Sequence, residues 1–560
     1  MKTKFIFICA SLLLFSCQKL DLNPLSQGSS ETWNSDADEL EMSLNDLYRD
    51  ALWVEDLDDW TDDWIYRDGL TEITNATING QTGFVNTNWD NTYKAISRAN
   101  TVLESMDRVE GVLSESQINA FIAEARFVRA SMFSYLLSHY RNVVYMDRTL
   151  TIEEARETGQ MPPEELLGKI YEDYDFAISN LPESYSSNQL QRATKGAALA
   201  LKARIALYMA DFETAKQASQ ACIELGIYSL HSEYGNLFLS STKQSPESIF
   251  LLPRSVTLGV TLGDRQNYVP RNNGGWAAKD PSWDLLFAYY CTDGLPVDES
   301  PLFDPKNPFV NRDPRCNLTI APFGEEFLDY IYDPHPLALT TERVSTGQQV
   351  ANNDNRAVAQ YASFNGLVWK KGADHDWLLN SWRVEPDNII VRYADVLLMY
   401  AEAKIELNDI DQSVLDAINQ VRARAYQVDM ASEAYPKVVE SGQEKLRTIL
   451  RAERRMEFAL EGRRYMDIIR WKTAERVLNR PNYGLLDPAD LVSKVVNPGK
   501  WFLPSTPDID TDGSPDFTDL ASQGVIKQIA VRKFDANRQY LWPIPSTEVL
   551  TSGLTQNPNY

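Results

Sequence analysis

The sequence is poor in the residues that carry most metal and redox chemistry. Histidine occurs four times in 560 residues, at His139, His231, His335 and His375, well separated along the chain. That argues against a histidine-built zinc site and against histidine acid–base catalysis. Cysteine occurs five times. Cys9 and Cys17 stand near the start, and Cys222, Cys291 and Cys316 are scattered, so the spacing suits neither a disulfide framework nor a metal site. Positive charge is also short: 54 Lys and Arg face 79 Asp and Glu, a formal charge of −25. Such a balance argues against nucleic acid, whose phosphates would be repelled, and against lying flat on an anionic bilayer. Beyond Cys17 there is no run of about 18 apolar residues, the length that a membrane-spanning helix needs.

What is present starts at the first residues. Lys2 and Lys4 precede an apolar run from Phe5 to Phe15, too short to span a bilayer and typical of a secretory signal. The run ends in Leu14-Phe15-Ser16-Cys17, which resembles the lipobox of bacterial lipoproteins. That resemblance implies cleavage before Cys17 and acylation of its sulfur and new amino group, and several acyl chains together give stable anchoring. The expectation is a signal peptide at 1–16, a polar tether at 17–32 and a single domain at 33–560.

Within that domain, helical periodicity dominates the blocks Asp36 to Trp53, Trp89 to Val109 and Glu115 to Tyr140. Pro162 and Pro163 open a further helix that runs to Leu181. From Thr194 to Gly226, Ala197, Ala200, Ala203, Ala206 and Ala210 line one helix, and Ala215, Ala218 and Cys222 line a second. Small residues let two antiparallel helices approach closely, as in a tetratricopeptide hairpin, and Arg392 to Ala425 repeats the pattern. By contrast, Tyr228 to Asn388 and Pro481 to Gln539 are rich in Gly, Pro, Asn and aromatics, and their many rings argue against disorder. The predicted fold is mainly α: TPR-like hairpins form a scaffold over about 33–226 and 389–480. A loop-rich lobe over about 227–388 and 481–540 carries the ligand site.

Five segments, in order, bear a family resemblance. They are Trp89-x-x-x-Tyr93-x-x-Ile96-x-x-Ala99-Asn100; Glu124-Ala125-Arg126-Phe127-x-Arg129-Ala130 through Tyr140; and Ala193-Thr194-Lys195-Gly196-Ala197 to Tyr208. Next come Arg392 to Ala403 with Asn419-x-Val421-Arg422-x-Arg424-Ala425, and Glu453-Arg454-Arg455 through Trp471 with the terminus Leu541-Trp542-Pro543-Ile544-Pro545 to Tyr560. Together, behind the lipobox, they resemble the SusD/RagB family of outer-membrane nutrient-binding lipoproteins. The resemblance implies a non-enzymatic, outward-facing outer-membrane protein that captures oligosaccharides and delivers them to a SusC-like TonB-dependent transporter. Two other readings stay open: a helical carbohydrate hydrolase, or a TPR-like scaffold that binds only protein.

Candidate residues follow from local composition. Sugars offer apolar C–H faces and a rim of hydroxyls, so a site needs flat rings beside polar groups. Three stretches have that mixture: Trp60, Trp64, Arg67 and Asp68; Asn272 and Trp276, around two glycines; and Trp377 with Trp382. Asp508, Asp510, Asp512, Ser514, Asp516 and Asp519 place oxygens at calcium-loop spacing, with Gly513 at the turn. A structural calcium ion or an acidic solvated turn would each explain this segment; no other cofactor is required. Glu453, Glu457 and Glu461 recur every four residues among arginines, which predicts ion pairs along one side of a helix rather than a catalytic carboxylate pair.

Overall fold

The structure, a computed structural model, describes residues 33–67, 69–186, 191–500 and 505–560. Cys17 and Asp68 lie outside the described residues. Among those described, no helix is long and apolar enough to cross a membrane.

The helical part is built from pieces whose ends are dictated locally. Ser114 opens the helix Glu115–His139 with a reciprocal capping box to Gln117, and Pro163 occupies the first turn of Pro163–Asn180, where a missing N–H costs nothing. These two helices pack along each other. Arg129 binds them with a two-pronged contact to Asp173, Nε to Oδ2 at 2.7 Å and Nη2 to Oδ1 at 2.8 Å, in a buried setting where such a fork is strongest.

The first hairpin comprises Lys195–Tyr208 and Phe212–Glu224, each opened by a side-chain cap, Thr194 and Asp211. Ala197, Ala200, Ala203 and Ala206 are fully buried and meet Ala215, Ala218 and Cys222. Ala210 does not extend that stripe as predicted; with φ +60° it makes the turn instead. The second hairpin, Tyr393–Glu406 and Gln412–Ala425, packs its first helix on Phe212–Glu224, so two units distant in sequence stack.

Strand Ser248–Leu252 pairs antiparallel with Asn388–Arg392 and so zips together the entry and exit of the long irregular segment between the hairpins. That segment holds more strand than its composition predicts: Glu325–Phe327, Tyr330–Tyr332, Thr340–Arg343 and Gln348–Ala351 form a four-stranded antiparallel sheet. One large hydrophobic cluster fills the helical part; two smaller ones, around Trp283 and Trp369 and around Val269, Tyr332 and Trp377, fill the lobe.

The block from Glu453 to Trp471 differs from its sequence-based reading. Helix Gln443–Phe458 ends, Leu460 and Gly462 take φ +61° and +66°, and Arg464–Arg470 begins a new helix. Gly462 is required there, because a Cβ would sit 2.3 Å from the Asp56 carbonyl oxygen. Its three glutamates do not pair along their own helix but reach cations from elsewhere. Arg392 Nη1 lies 2.6 Å from both Glu247 and Glu457, and its Nε lies 2.7 Å from Glu461. Arg424 also pairs with Glu247 and Glu457. Arg315 meets Asp313, Glu453 and Glu457, while Lys371 meets Glu461 at 2.5 Å. Burial alone would raise the Glu457 carboxyl; Arg424, Arg392 and Arg315 hold it well below the usual carboxylate range. This buried cluster joins the lobe to the helices.

Candidate functional site

Strand Trp64–Tyr66 pairs antiparallel with Lys279–Pro281, Tyr66 opposite Lys279, and the Arg67 amide extends the ladder to the Ala278 carbonyl at 3.0 Å. Arg67 is thereby carried onto the loop before Lys279. Its Nη1 donates to the main-chain carbonyls of Trp276 and Tyr361, both at 2.8 Å. The same guanidinium lies 5.3 Å from the centre of the Tyr361 ring. One side chain therefore fixes the two backbone positions from which exposed rings project, Trp276 at 44 % and Tyr361 at 51 % exposure.

The loop that presents Trp276 is held from several sides. Gly274, at φ +81°, closes a tight turn, and a Cβ on Gly275 would sit 2.1 Å from the Val269 carbonyl oxygen, so the chain can fold back here only with glycine. The Trp276 amide donates to the Gln266 carbonyl at 2.7 Å and the Ala278 amide to Asn267 at 2.8 Å. Asn272 anchors the base: its Nδ2 donates to Asp354 at 2.8 Å and to Asn352 at 3.2 Å, and its Oδ1 accepts the Asn353 amide at 2.9 Å. Burial raises the Asp354 carboxyl to about 6. Trp382 is half-buried, with its ring 3.7 Å from where a Cβ on Gly274 would stand. Asn272, Trp276 and Trp382 thus share one loop system, and Arg67 joins it to the N-terminal stretch.

Three predicted contact residues lie elsewhere. Trp60 stacks on Phe84 at 5.0 Å and meets Tyr465 and Trp542 edge-on inside the helical core. Trp64 packs in the lobe core, and Trp377 forms part of the third cluster; all three are under 5 % exposed. The acidic residues beside Trp60 and Trp64 are equally committed. Asp62 pairs with Arg455 at 2.8 Å and Arg464 at 2.9 Å, and Asp63 pairs with Arg455 at 2.5 Å. This stretch threads between the helical and lobe cores, so its apolar and ionic side chains are used inside. Tyr361 was not anticipated; nothing in Ala359-Gln360-Tyr361-Ala362 marks it, since its role comes from the position of Arg67.

The acidic segment does not gather its oxygens around one centre. Asp508–Ile509 pairs antiparallel with Pro515–Asp516, and Asp510 Oδ1 accepts the amides of Asp512 and Ser514 at 2.9 and 3.0 Å. Arg480 binds Asp510, and Arg476 Nε lies 2.6 Å from Asp512. Asp516 caps the Thr518 amide at 2.8 Å, and Asp519 sits in the short helix Thr518–Ser522. Among the described residues, no group of three or more His, Cys, Asp or Glu is placed to hold a metal ion. The spacing that suggested calcium belongs to a hairpin turn in which Asp510, Asp512 and Asp516 are bound by arginines and amides.

Known proteins place this architecture. Residues 246–560 match the model of the SusD family, and residues 22–207 match a model described as "Starch-binding associating with outer membrane". The "SusD-like protein P2" of Formosa agariphila is 23 % identical over 595 aligned positions, covering all of both chains. A solved SusD-like carbohydrate binding protein from Bacteroides fragilis superposes with a TM-score of 0.73 at 26 % identity, over 92 % of this chain and 98 % of that one. A laminarin binding SusD-like protein shares the fold, with a TM-score of 0.63 at 21 % identity over 94 % of this chain and all of that one. With more than half its length matched by the family model and its overall trace superposing on that of a solved SusD-like protein, the chain belongs to the SusD family.

Proposed function

We propose that this protein binds an oligosaccharide or polysaccharide without cleaving it, on the surface formed by Trp276 and Tyr361, and passes it to a SusC-like TonB-dependent transporter. Acyl chains on Cys17 hold it to the outer membrane, facing the cell exterior. The carrying observation is the pair of exposed rings set by one arginine, in a member of a family with carbohydrate-binding relatives. Flat exposed rings suit the C–H faces of pyranoses. A position between the Trp64–Tyr66 strand and the lobe keeps both rings on a rigid frame, which lowers the entropy lost on binding.

The test is calorimetry of the lipid-free protein against a panel of polysaccharides, with product analysis of the same mixtures. Trp276→Ala and Tyr361→Ala are each expected to weaken the best ligand by about 1–3 kcal/mol, with no sugar released by any form. Full affinity in both variants would remove this surface from consideration, and released oligosaccharide would favour the hydrolase. Recovery of the protein with an outer-membrane importer checks the delivery step.

A further inference from the structure

A cleft not lined by Trp276 or Tyr361 lies between the Glu55–Asp59 turn of the helical part and the lobe. Its volume is about 570 Å³, inside the ~300–1,000 Å³ of small-molecule sites. Tyr268 and Trp377 line one wall, and between them lies Arg265, 4.4 Å from the Tyr268 ring and 5.6 Å from the Trp377 ring. Arg265 donates only to the Gly263 carbonyl, through Nε at 3.3 Å, and no carboxylate of the described residues lies within ion-pair distance of it. A guanidinium clamped by two rings, with its terminal nitrogens uncommitted, is a preorganised donor fork. Opposite stand Asp58 and Asp59. Asp58, 8 % exposed, accepts the Gly462 amide through Oδ2 at 2.8 Å, and its Oδ1 has no partner. Asp59 Oδ1 and the indole N–H of Trp377, itself 3 % exposed, are likewise buried without one. Asp58, Asp59 and Trp377 all border the cleft, so three polar groups without a partner among the described residues stand at one place in its wall, and a polar molecule there completes the structure.

The chemistry of that molecule follows from the walls. The half-buried Tyr268 ring wants an apolar face; the Arg265 fork wants acceptors; two carboxyls want hydroxyl donors; the indole N–H wants an acceptor. Seven carboxyl groups and five cationic side chains line the cleft, so no excess of positive charge selects an anion. We propose that this cleft is a separate carbohydrate pocket that takes one neutral pyranose residue, either free or as the end of a chain, distinct from the open ring surface that meets the middle of a chain. It rests on the reading that the protein binds glycans, and it adds that the protein also recognises their ends.

The probes are glucose, galactose, mannose and xylose, their methyl glycosides and disaccharides, and glucuronate as the anionic control. Saturation-transfer NMR and calorimetry would be run on wild type, Arg265→Ala, Trp377→Phe and Trp276→Ala. At least one neutral probe is expected to bind wild type and Trp276→Ala alike, and to bind at least tenfold more weakly to Arg265→Ala. Trp377→Phe keeps a six-membered ring and removes the N–H together with the five-membered ring that carries it, so a loss of binding there counts as recognition only if the melting temperature is unchanged. Binding of a monosaccharide assigns the free sugar, and binding only from the disaccharide upward assigns the chain end. Absence of binding by every neutral probe, preference for glucuronate, or equal affinity in Arg265→Ala overturns the pocket. Failure of the ring surface would show separately, as polysaccharide binding that survives Trp276→Ala and Tyr361→Ala.

Discussion

Replacing Arg392 by Met should loosen the joint between lobe and helices by a calculable amount. Met fills similar volume but withdraws the cation that faces Glu247, Glu457 and Glu461 at 2.6–2.7 Å in a site with almost no solvent access. Removing one partner of a buried ion pair costs about 3–5 kcal/mol, because charge is left behind without water. Here each stranded carboxylate retains another cation: Glu247 keeps Arg424, Glu457 keeps Arg424 and Arg315, and Glu461 keeps Lys371. The loss should therefore fall near the lower bound, about 3 kcal/mol. With an unfolding entropy of about 2.1 cal/mol/K per residue, a body of about 530 residues has close to 1.1 kcal/mol/K, and the midpoint should drop by about 3 °C. Calorimetric scans at neutral pH measure it, alongside Arg392→Lys, which keeps the charge but loses the fork and should drop less. A shift below about 1 °C for Arg392→Met, or a larger drop for Lys than for Met, would refute the assignment of this cluster as the joint.

Burial raises the Asp58 carboxyl from 3.8 to about 7, so the folded protein holds a proton there that the unfolded chain releases above about pH 4. Stability from this group is present below pH 4 and is lost as pH rises toward 7. Urea titrations should therefore show wild type losing up to about 4 kcal/mol more than Asp58→Asn between pH 4 and 8, and parallel pH profiles would contradict it. Gly462→Ala should destabilise by about 2–4 kcal/mol, from the left-handed backbone and the approach to the Asp56 carbonyl; an unchanged denaturation midpoint would oppose this. Because Arg476 and Arg480 occupy the acidic hairpin, millimolar calcium and chelator should leave the melting temperature within 1 °C of each other; a calcium-dependent rise would restore the ion.

The helical scaffold was legible because its signals are local. Caps at Ser114, Thr194 and Asp211, Pro163 at a helix start and the buried alanines of the first hairpin are read within a few residues of one another. The candidate site was legible only in part, because a ring's exposure is decided by what packs on it from far away. Trp276 and Trp60 stand in equally mixed surroundings, yet one sits on a loop that two glycines fold outward and the other beneath Trp542. Glutamates spaced for one helix face found partners at Arg392, Arg424 and Arg315, which no periodicity encodes. The four-stranded sheet was hidden because its strands are three or four residues long and largely polar.

The pairing of Asp62 and Asp63 with Arg455 and Arg464 has a consequence for biogenesis. A ribosome adding about 5–20 residues per second needs roughly 20–80 seconds to travel between them. For that interval the early aspartates lack these counter-charges and resist dehydration, so the Trp60–Trp64 stretch takes its buried place between the two cores only after the arginines near the end of the chain emerge.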